Sequence, residues 1–380
     1  MADNEITKAA PDVKVDFEKI KTEFDRIVSE QVEKIGFVNI IVAGDTGVGK
    51  STLINGVFGE KFTNTGSGAP ITEEAEWFTK DGSPLRILDT KGFEKREYKF
   101  ILETLRGELE KANKSKNAHD HIHVAWLCIN EATSRVEPSH RDLARLLSEF
   151  NVSNIVVLTK HGMDPDFIDQ APLEFIKSDE GRPPAKVVDY IAVRAAPYKK
   201  LNLNMTGLDK LVLSTLKQLP EAAKAAFISA QKIDLDLKMQ SAKIRINYST
   251  AAAASIAPIP GIPDIMTIVP IQAAMIVSVS LAFGMELDQV KKYGMITTVL
   301  GCATSTMTGR WAAGKLLDFI PGAGWIINGI VAGTITNAFG RLYAEFLYRF
   351  IIKTGVAPTA EEVAREFPEF YSNNKDKTEI

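Results

Sequence analysis

The run Gly44-Asp45-Thr46-Gly47-Val48-Gly49-Lys50-Ser51-Thr52 sets glycines, one lysine and adjacent hydroxyls at the G-x-x-x-x-G-K-S spacing. Glycines let the backbone turn so that successive N–H groups converge on an anion, at the positive end of a helix opening near Lys50. Lys50 can place a point charge on β- and γ-phosphates, and the Ser51 hydroxyl can ligate Mg2+. The chemistry is that of holding a nucleoside triphosphate, with the backbone from Gly44 to Gly49 as the cradle and Thr52 beside it in the first helical turn.

Downstream, the apolar run Leu85 to Leu88 ends in Asp89-Thr90-Lys91-Gly92. An aspartate at a strand end can reach a metal's water shell, and the Gly92 amide can meet a γ-phosphate. Between the two motifs lies a polar, glycine-containing loop, Thr63 to Thr72, suited to a mobile switch. Thr72 is the choice for completing the Mg2+ shell, with Thr65 as runner-up. The expected catalytic set is therefore Lys50, Thr72 and Gly92, and the expected metal set is Ser51, Thr72 and Asp89. His119, His121 and His123 alternate and would share one strand face, a metal-binding option. No cysteine or same-face carboxylate completes that set, so they read as a solvated strand entrance.

Strands ending side by side must position these groups. Phe37 to Ala43 is a short β-branched apolar run suited to a buried parallel strand, and it leads through the glycine-rich turn into a helical stretch, Ser51 to Phe58. Further strands are expected at Glu76 to Phe78 and Leu85 to Leu88, joined as a hairpin by Asp81-Gly82-Ser83, then at Ile122 to Ile129, Asn154 to Leu158 and Val187 to Val193. Helical stretches at Tyr98 to Leu109, Ser139 to Phe150 and Gly207 to Leu219 separate them. This alternation implies an α/β domain with a mainly parallel sheet and helices on both faces.

Composition divides the chain further. The 380 residues carry a net charge of -3 with 24% charged residues, and no basic cluster suggests a nucleic-acid partner. Cys128 and Cys302, far apart in apolar contexts, read as buried thiols of a reducing compartment. The polar, acidic N-terminus reads as no secretory signal, so a cytoplasmic location is expected. The expected units are an amphipathic helix within 1–36, a nucleotide domain at 37–220, an apolar all-α domain at 221–356, and a short helix with polar tail at 357–380. Glu221 to Arg245 reads as one long helix, and Thr359 with Glu362 as a capping box. From Ile246 to Gly340 only eight of 95 residues are charged. Uncharged runs at Ile265 to Met285, Tyr293 to Gly309 and Phe319 to Gly340 approach the ~20 residues that span a bilayer. Membrane lipid is the expected partner of 246–340, as surface-associated or embedded hairpins; a buried helical bundle is the competing reading.

The glycine-rich run, Pro70-Ile71-Thr72, Asp89-Thr90-Lys91-Gly92 and Thr159-Lys160-His161-Gly162 in this order resemble the translation-factor-related GTPases, most closely the TrmE-Era-Septin-like and immunity-related groups. The resemblance covers about Phe37 to Leu219 and implies a Ras-like sheet, GTP/GDP and Mg2+ binding, slow hydrolysis coupled to switch movement, and pairing of two G domains. Thr159, Lys160 and Asp164 are the implied guanine contacts, although glycine stands at 162 where the Thr-Lys-x-Asp element has aspartate. Either a shifted loop brings in Asp164 or selectivity is relaxed. Ala195-Ala196 could offer a backbone amide to the guanine carbonyl. Phe93 follows Gly92 where many relatives carry glutamine, which implies help to hydrolysis from elsewhere. The region after 220 resembles the Ala/Gly-rich, membrane-associated module attached to Era-like G domains, on Ile259-Pro260-Gly261 and Ile320-Pro321-Gly322.

Overall fold

β1 (Val38–Gly44) is buried along its whole length, as a β-branched apolar run requires of a central strand. In the computed structural model, which describes residues 17–59, 69–72, 75–79, 82–90, 98–176, 184–255, 265–304 and 329–374, it pairs in parallel on both sides. One neighbour is β4 (Leu85–Thr90) and the other β5 (Val124–Asn130). β6 (Ser153–Thr159) and β7 (Asp189–Val193) continue the parallel set. β3 (Ala75–Thr79) runs antiparallel to β4, and β2 (Ala69–Thr72) antiparallel to β3. The order is β2-β3-β4-β1-β5-β6-β7. The chain leaves β1 toward one side and later returns to the other, so the loop after β1 opens into the crevice where such sheets bind ligands.

Helices cover both faces, as in a Ras-like G domain. α2 (Lys50–Phe58) and α6 (Leu208–Gln218) lie on one face, burying Leu53, Val57, Leu211 and Val212. α3 (Tyr98–Lys114), α4 (Pro138–Glu149) and α5 (Phe167–Ile176) lie on the other, burying Leu105, Leu143, Leu147, Phe167 and Phe175. The loop expected over Thr63 to Thr72 differs at its end, where residues 69–72 form β2; residues 60–68 lie outside the described residues.

After residue 220 the described residues form helices joined by short connections. The single long helix expected from Glu221 is two, α7 (Glu221–Ala230) and α8 (Leu235–Ala254). Gln231 breaks it: its Oε1 accepts the N–H groups of Ile233 and Asp234 at 2.7 and 2.8 Å, and Asp234 caps α8 by accepting the Leu237 N–H at 2.9 Å. α9 (Ile265–Ala282), the short α10 (Leu287–Val290), α11 (Tyr293–Thr304), α12 (Gly329–Thr354) and α13 (Ala360–Asn374) follow. Ahead of α13, Thr359 donates from its N–H to Glu362 Oε2 at 2.7 Å while its Oγ1 accepts the Glu362 N–H at 3.2 Å, the reciprocal pair expected of a capping box.

The small residues bring helices together. A Cβ at Gly340 of α12 would lie 2.6 Å from Met275 Sδ and 3.0 Å from Ile246, so glycine is what lets α12 approach both α9 and α8. Met275 to Phe283 of the first uncharged run are buried, and Ser280 Oγ meets Tyr343 OH at 2.7 Å inside the bundle. The apolar surface of α9, expected to face lipid, is here turned to protein; among the described residues no helix is long and apolar enough to cross a membrane. Asp264, just before the first run, and residues 305–328, which include the end of the second run and the start of the third, lie outside the described residues. α1 (Phe17–Ile35) packs Ile27, Val28 and Ile35 inward, and one continuous core joins the α2/α6 face of the sheet to the bundle.

Candidate functional site

At the end of β1, Gly44 has φ 147 and a Cβ there would overlap the Cys128 carbonyl oxygen of β5. Glycine is the residue that allows this approach. Gly47 and Gly49, at φ 73 and 109, take left-handed conformations that turn the loop back on itself. The Val48 N–H bonds Asp45 O at 3.2 Å, and the Leu53 N–H bonds Gly49 O at 2.9 Å to start α2. Lys50 is 9% exposed and its Nζ donates to the carbonyls of Gly44 at 2.8 Å and Asp45 at 3.3 Å. The loop therefore closes around its own ammonium. Thr46, Gly47, Ser51 and Thr52 are exposed at its crest and first turn. Asp89 sits on the adjoining β4 in register with Val42 of β1. Thr72 ends β2 in register with Ala75; its side chain, and all of Thr65, Gly92 and Phe93, lie outside what is described.

β6 is bound to this loop from the other side. Thr159 Oγ1 lies 2.7 Å from Val48 O and 3.1 Å from Ile129 O, and Lys160 Nζ donates to Gly47 O at 2.9 Å. Beside them opens a cavity of about 520 Å³ lined by Gly49, Thr52, Asn130, Thr159, Lys160, Met163 and the turn from Val193 to Tyr198. Asp164 does not line it: its carboxylate accepts the Ser134 hydroxyl. Gly162 has φ 98, and a Cβ there would overlap Arg194 Nη2. That guanidinium is held in turn by the carbonyls of His161, at 2.8 Å from Nε, and Asn204, at 2.6 Å from Nη1. Aspartate at position 162 would take an unfavourable backbone conformation and would have to displace the end of the Arg194 side chain.

Residues 39–160 match the family model described as 50S ribosome-binding GTPase. That stretch, about a third of the chain, takes in the loop at Gly44–Thr52 and is similar to P-loop GTPase domains. The chain is 36% identical over 75 residues to ribosome biogenesis GTPase A of Priestia megaterium (strain DSM 319 / IMG 1521), covering 20% of this chain and 26% of the relative. It is 25% identical over 198 residues to GTPase Der of Novosphingobium aromaticivorans, covering 49% and 41% respectively. The chain thus spans between a quarter and two-fifths of these relatives. A solved structure described as a probable GTP-binding protein, engB, aligns at 20% identity over 47% of this chain and 97% of its own, with a TM-score of 0.30.

Three residues that shape the site around the glycine-rich loop carry no motif. Glu131, fully buried just past β5, gathers the turn after β6. Its Oε2 accepts the N–H groups of Gly162, Met163 and Asp164 at 2.5, 2.9 and 3.3 Å, and its Oε1 lies 2.6 Å from His161 Nδ1. Arg194 braces the same turn from β7. His140, buried in the first turn of α4, accepts the Glu137 N–H through Nδ1 at 3.1 Å, which leaves the hydrogen on Nε2, 3.2 Å from Asp45 Oδ2. Burial raises the Asp45 carboxyl, but His140, Lys50 and Arg135 together hold it below the usual carboxylate range. The one available sequence signal was position: Glu131 and Arg194 each follow the carboxyl end of a parallel strand, where ligand sites of such sheets lie.

The three alternating histidines hold structure together. Asn39 of β1 donates from Nδ2 to the carbonyls of His119 and His121, each at 2.8 Å, and from its backbone N–H to His123 Nδ1 at 3.0 Å. Burial pushes His123 down to about 4. Among the described residues no group of acidic, histidine or cysteine side chains could hold a metal ion without other ligands. Cys128 is buried, which pushes its thiol up to about 12, as befits an inert core residue; the side chain of Cys302 lies outside the description.

Proposed function

We propose that the chain binds GTP with Mg2+ at Gly44–Thr52, hydrolyses it slowly to GDP, and passes the nucleotide state to the helical region after residue 220. The observation that carries this reading is the enclosed Lys50 ammonium. It rests on two backbone carbonyls inside a glycine loop whose crest and first helical turn are open, the arrangement a β,γ-phosphate can enter by replacing those contacts with stronger charged ones. The donors present fit a hard divalent cation: the Ser51 hydroxyl is exposed beside the loop, and the Asp89 carboxylate ends the neighbouring strand. Thr72 completes that set in the proposal, and Gly92 supplies a γ-phosphate amide. Mg2+ bound there would neutralise charge developing on the β- and γ-oxygens. Phe93, in the place where many similar GTPases carry glutamine, supports a slow intrinsic rate.

Coupling is supported by two contacts. The Leu287 N–H at the start of α10 donates to Gly82 O in the β3–β4 turn at 3.3 Å, and the Lys232 N–H donates to Val57 O at the end of α2 at 2.9 Å. Phe58, which follows Val57, stacks on Trp126 at 5.7 Å and meets Phe227 of α7 edge-on at 6.1 Å. The helices after residue 220 therefore touch both the helix that begins at Lys50 and the hairpin that leads to Asp89.

Single-turnover phosphate release from GTP by the wild type and Lys50→Ala tests the enzyme reading. Removing one charge-stabilising group from such a site costs about a hundredfold or more, so release should fall at least that far. Equal release from both proteins, or none from the wild type above the uncatalysed background, would sink the proposal.

A further inference from the structure

Granting the nucleotide-binding reading above, a purine joined to phosphates at Gly44–Thr52 extends into the 520 Å³ cavity beside them. The guanine edge presents two donors, N1–H and the 2-amino group, and one acceptor, the 6-carbonyl. Reading the donors takes a strong acceptor at the cavity wall, above all a carboxylate. Both neighbouring carboxylates are committed elsewhere. Glu131 is spent on three backbone amides and His161 beneath the turn, and Asp164 on Ser134 outside it. No aspartate or glutamate is among the described residues lining the cavity. Position 162, where the resembling Thr-Lys-x-Asp element has its carboxylate, carries no side chain, and its positive φ together with the neighbouring Arg194 guanidinium disfavours one. The donor side is differently placed. Ala195 and Ala196 line the cavity, and for their backbone N–H groups no acceptor is found among the described residues.

We propose that this site takes 6-oxopurine nucleoside triphosphates as a class, reading the 6-carbonyl through the Ala195–Ala196 backbone and leaving the 2-amino group unread. Inosine and guanosine triphosphates then bind alike, and adenosine triphosphate, which turns an amino group toward the two amides, binds worse. A carboxylate accepting a base donor is worth about ten- to a hundredfold in affinity, so its absence is measurable. Glu131 acts as a positioning residue: by holding the N–H groups of 162–164 it fixes Asp164 away from the base.

The test is displacement of a fluorescent GDP analogue from the full chain, with Mg2+, by GTP, ITP and ATP, for the wild type and Asp164→Asn. The expected result is ITP within about fivefold of GTP, ATP weaker than both by about tenfold or more, and ratios unmoved by Asp164→Asn. A GTP preference over ITP larger than that overturns the inference, and its collapse in Asp164→Asn would identify Asp164 as the missing reader. ATP as tight as GTP overturns the role given to Ala195 and Ala196. Failure of every nucleotide, GDP included, to displace the probe is the separate outcome that removes the nucleotide-binding reading itself.

Discussion

Lys238 shows how a single residue can oppose the fold that contains it. It is buried among apolar helices, with its Nζ donating to Ser229 O at 2.6 Å near the C-terminal end of α7. Desolvation lowers the ammonium to about 7, from an ordinary 10.5. Below about pH 7 both folded and unfolded chains carry the proton, and the full penalty of burying it is present. Between about pH 7 and 10.5 the unfolded chain holds more protons, so this group makes stability rise with pH across that window. Lys238→Met removes the charge with little change in volume. We expect it to stabilise the chain at pH 7 by roughly 2–4 kcal/mol, because a desolvated cation is exchanged for an apolar side chain. We expect it also to flatten the rise in urea midpoint between pH 7 and 10. A lower midpoint at pH 7 would mean that the hydrogen bond to α7 outweighs desolvation.

At the scale of elements, the site is built where strands come closest. β1 and β5 approach so tightly at Gly44 that a methyl group cannot enter without displacing the Cys128 carbonyl. Gly44→Ala should therefore force the two strands apart and cost about 3 kcal/mol or more, with loss of nucleotide binding, since the displaced backbone is the one that begins the phosphate loop. Urea unfolding and nucleotide titration of the variant check this together; unchanged stability would contradict the packing argument. The same scale explains Asn39. It is a polar residue in a central strand, 1% exposed, and it is tolerated because the segment at 119–123 supplies two carbonyls to its side chain.

For the whole molecule, the composition of the chain suggests two units with different chemistry, yet the apolar core runs without a break from Leu53 and Val57, through Phe227, to Met275, Tyr343 and Phe367. Unfolding should accordingly be one cooperative event. Tryptophan fluorescence of a Trp311→Phe/Trp325→Phe variant, which leaves Trp77 and Trp126 of the sheet as the reporters, and far-UV circular dichroism, to which the helices after residue 220 contribute most, should give coincident urea transitions. A helical transition separated from the fluorescence transition would show that the bundle stands alone.

How much of this was legible beforehand varies with the range of the interaction responsible. The phosphate loop, the alternation of strands and helices, and the cap before α13 are local: glycine torsions, hydrophobic period and a hydroxyl three residues before a glutamate act within one turn or strand, so residue type and spacing carry them. The break at Gln231 was missed because a side-chain amide, and no proline or glycine, ends α7. The use of the uncharged runs was open because small apolar residues suit lipid and protein partners equally, and only the opposition of Gly340 to Met275 and Ile246 shows which partner α9 and α12 take. Residue types and spacing by themselves point to Gly44–Thr52 as the proposed phosphate site. Only the tertiary structure decided what stands beside them, because the fate of Asp164 is set by Ser134 and Glu131, and that of position 162 by Arg194, some thirty residues away in each case. Contacts across such distances depend on strand order, which brings β5, β6 and β7 to one end of the sheet.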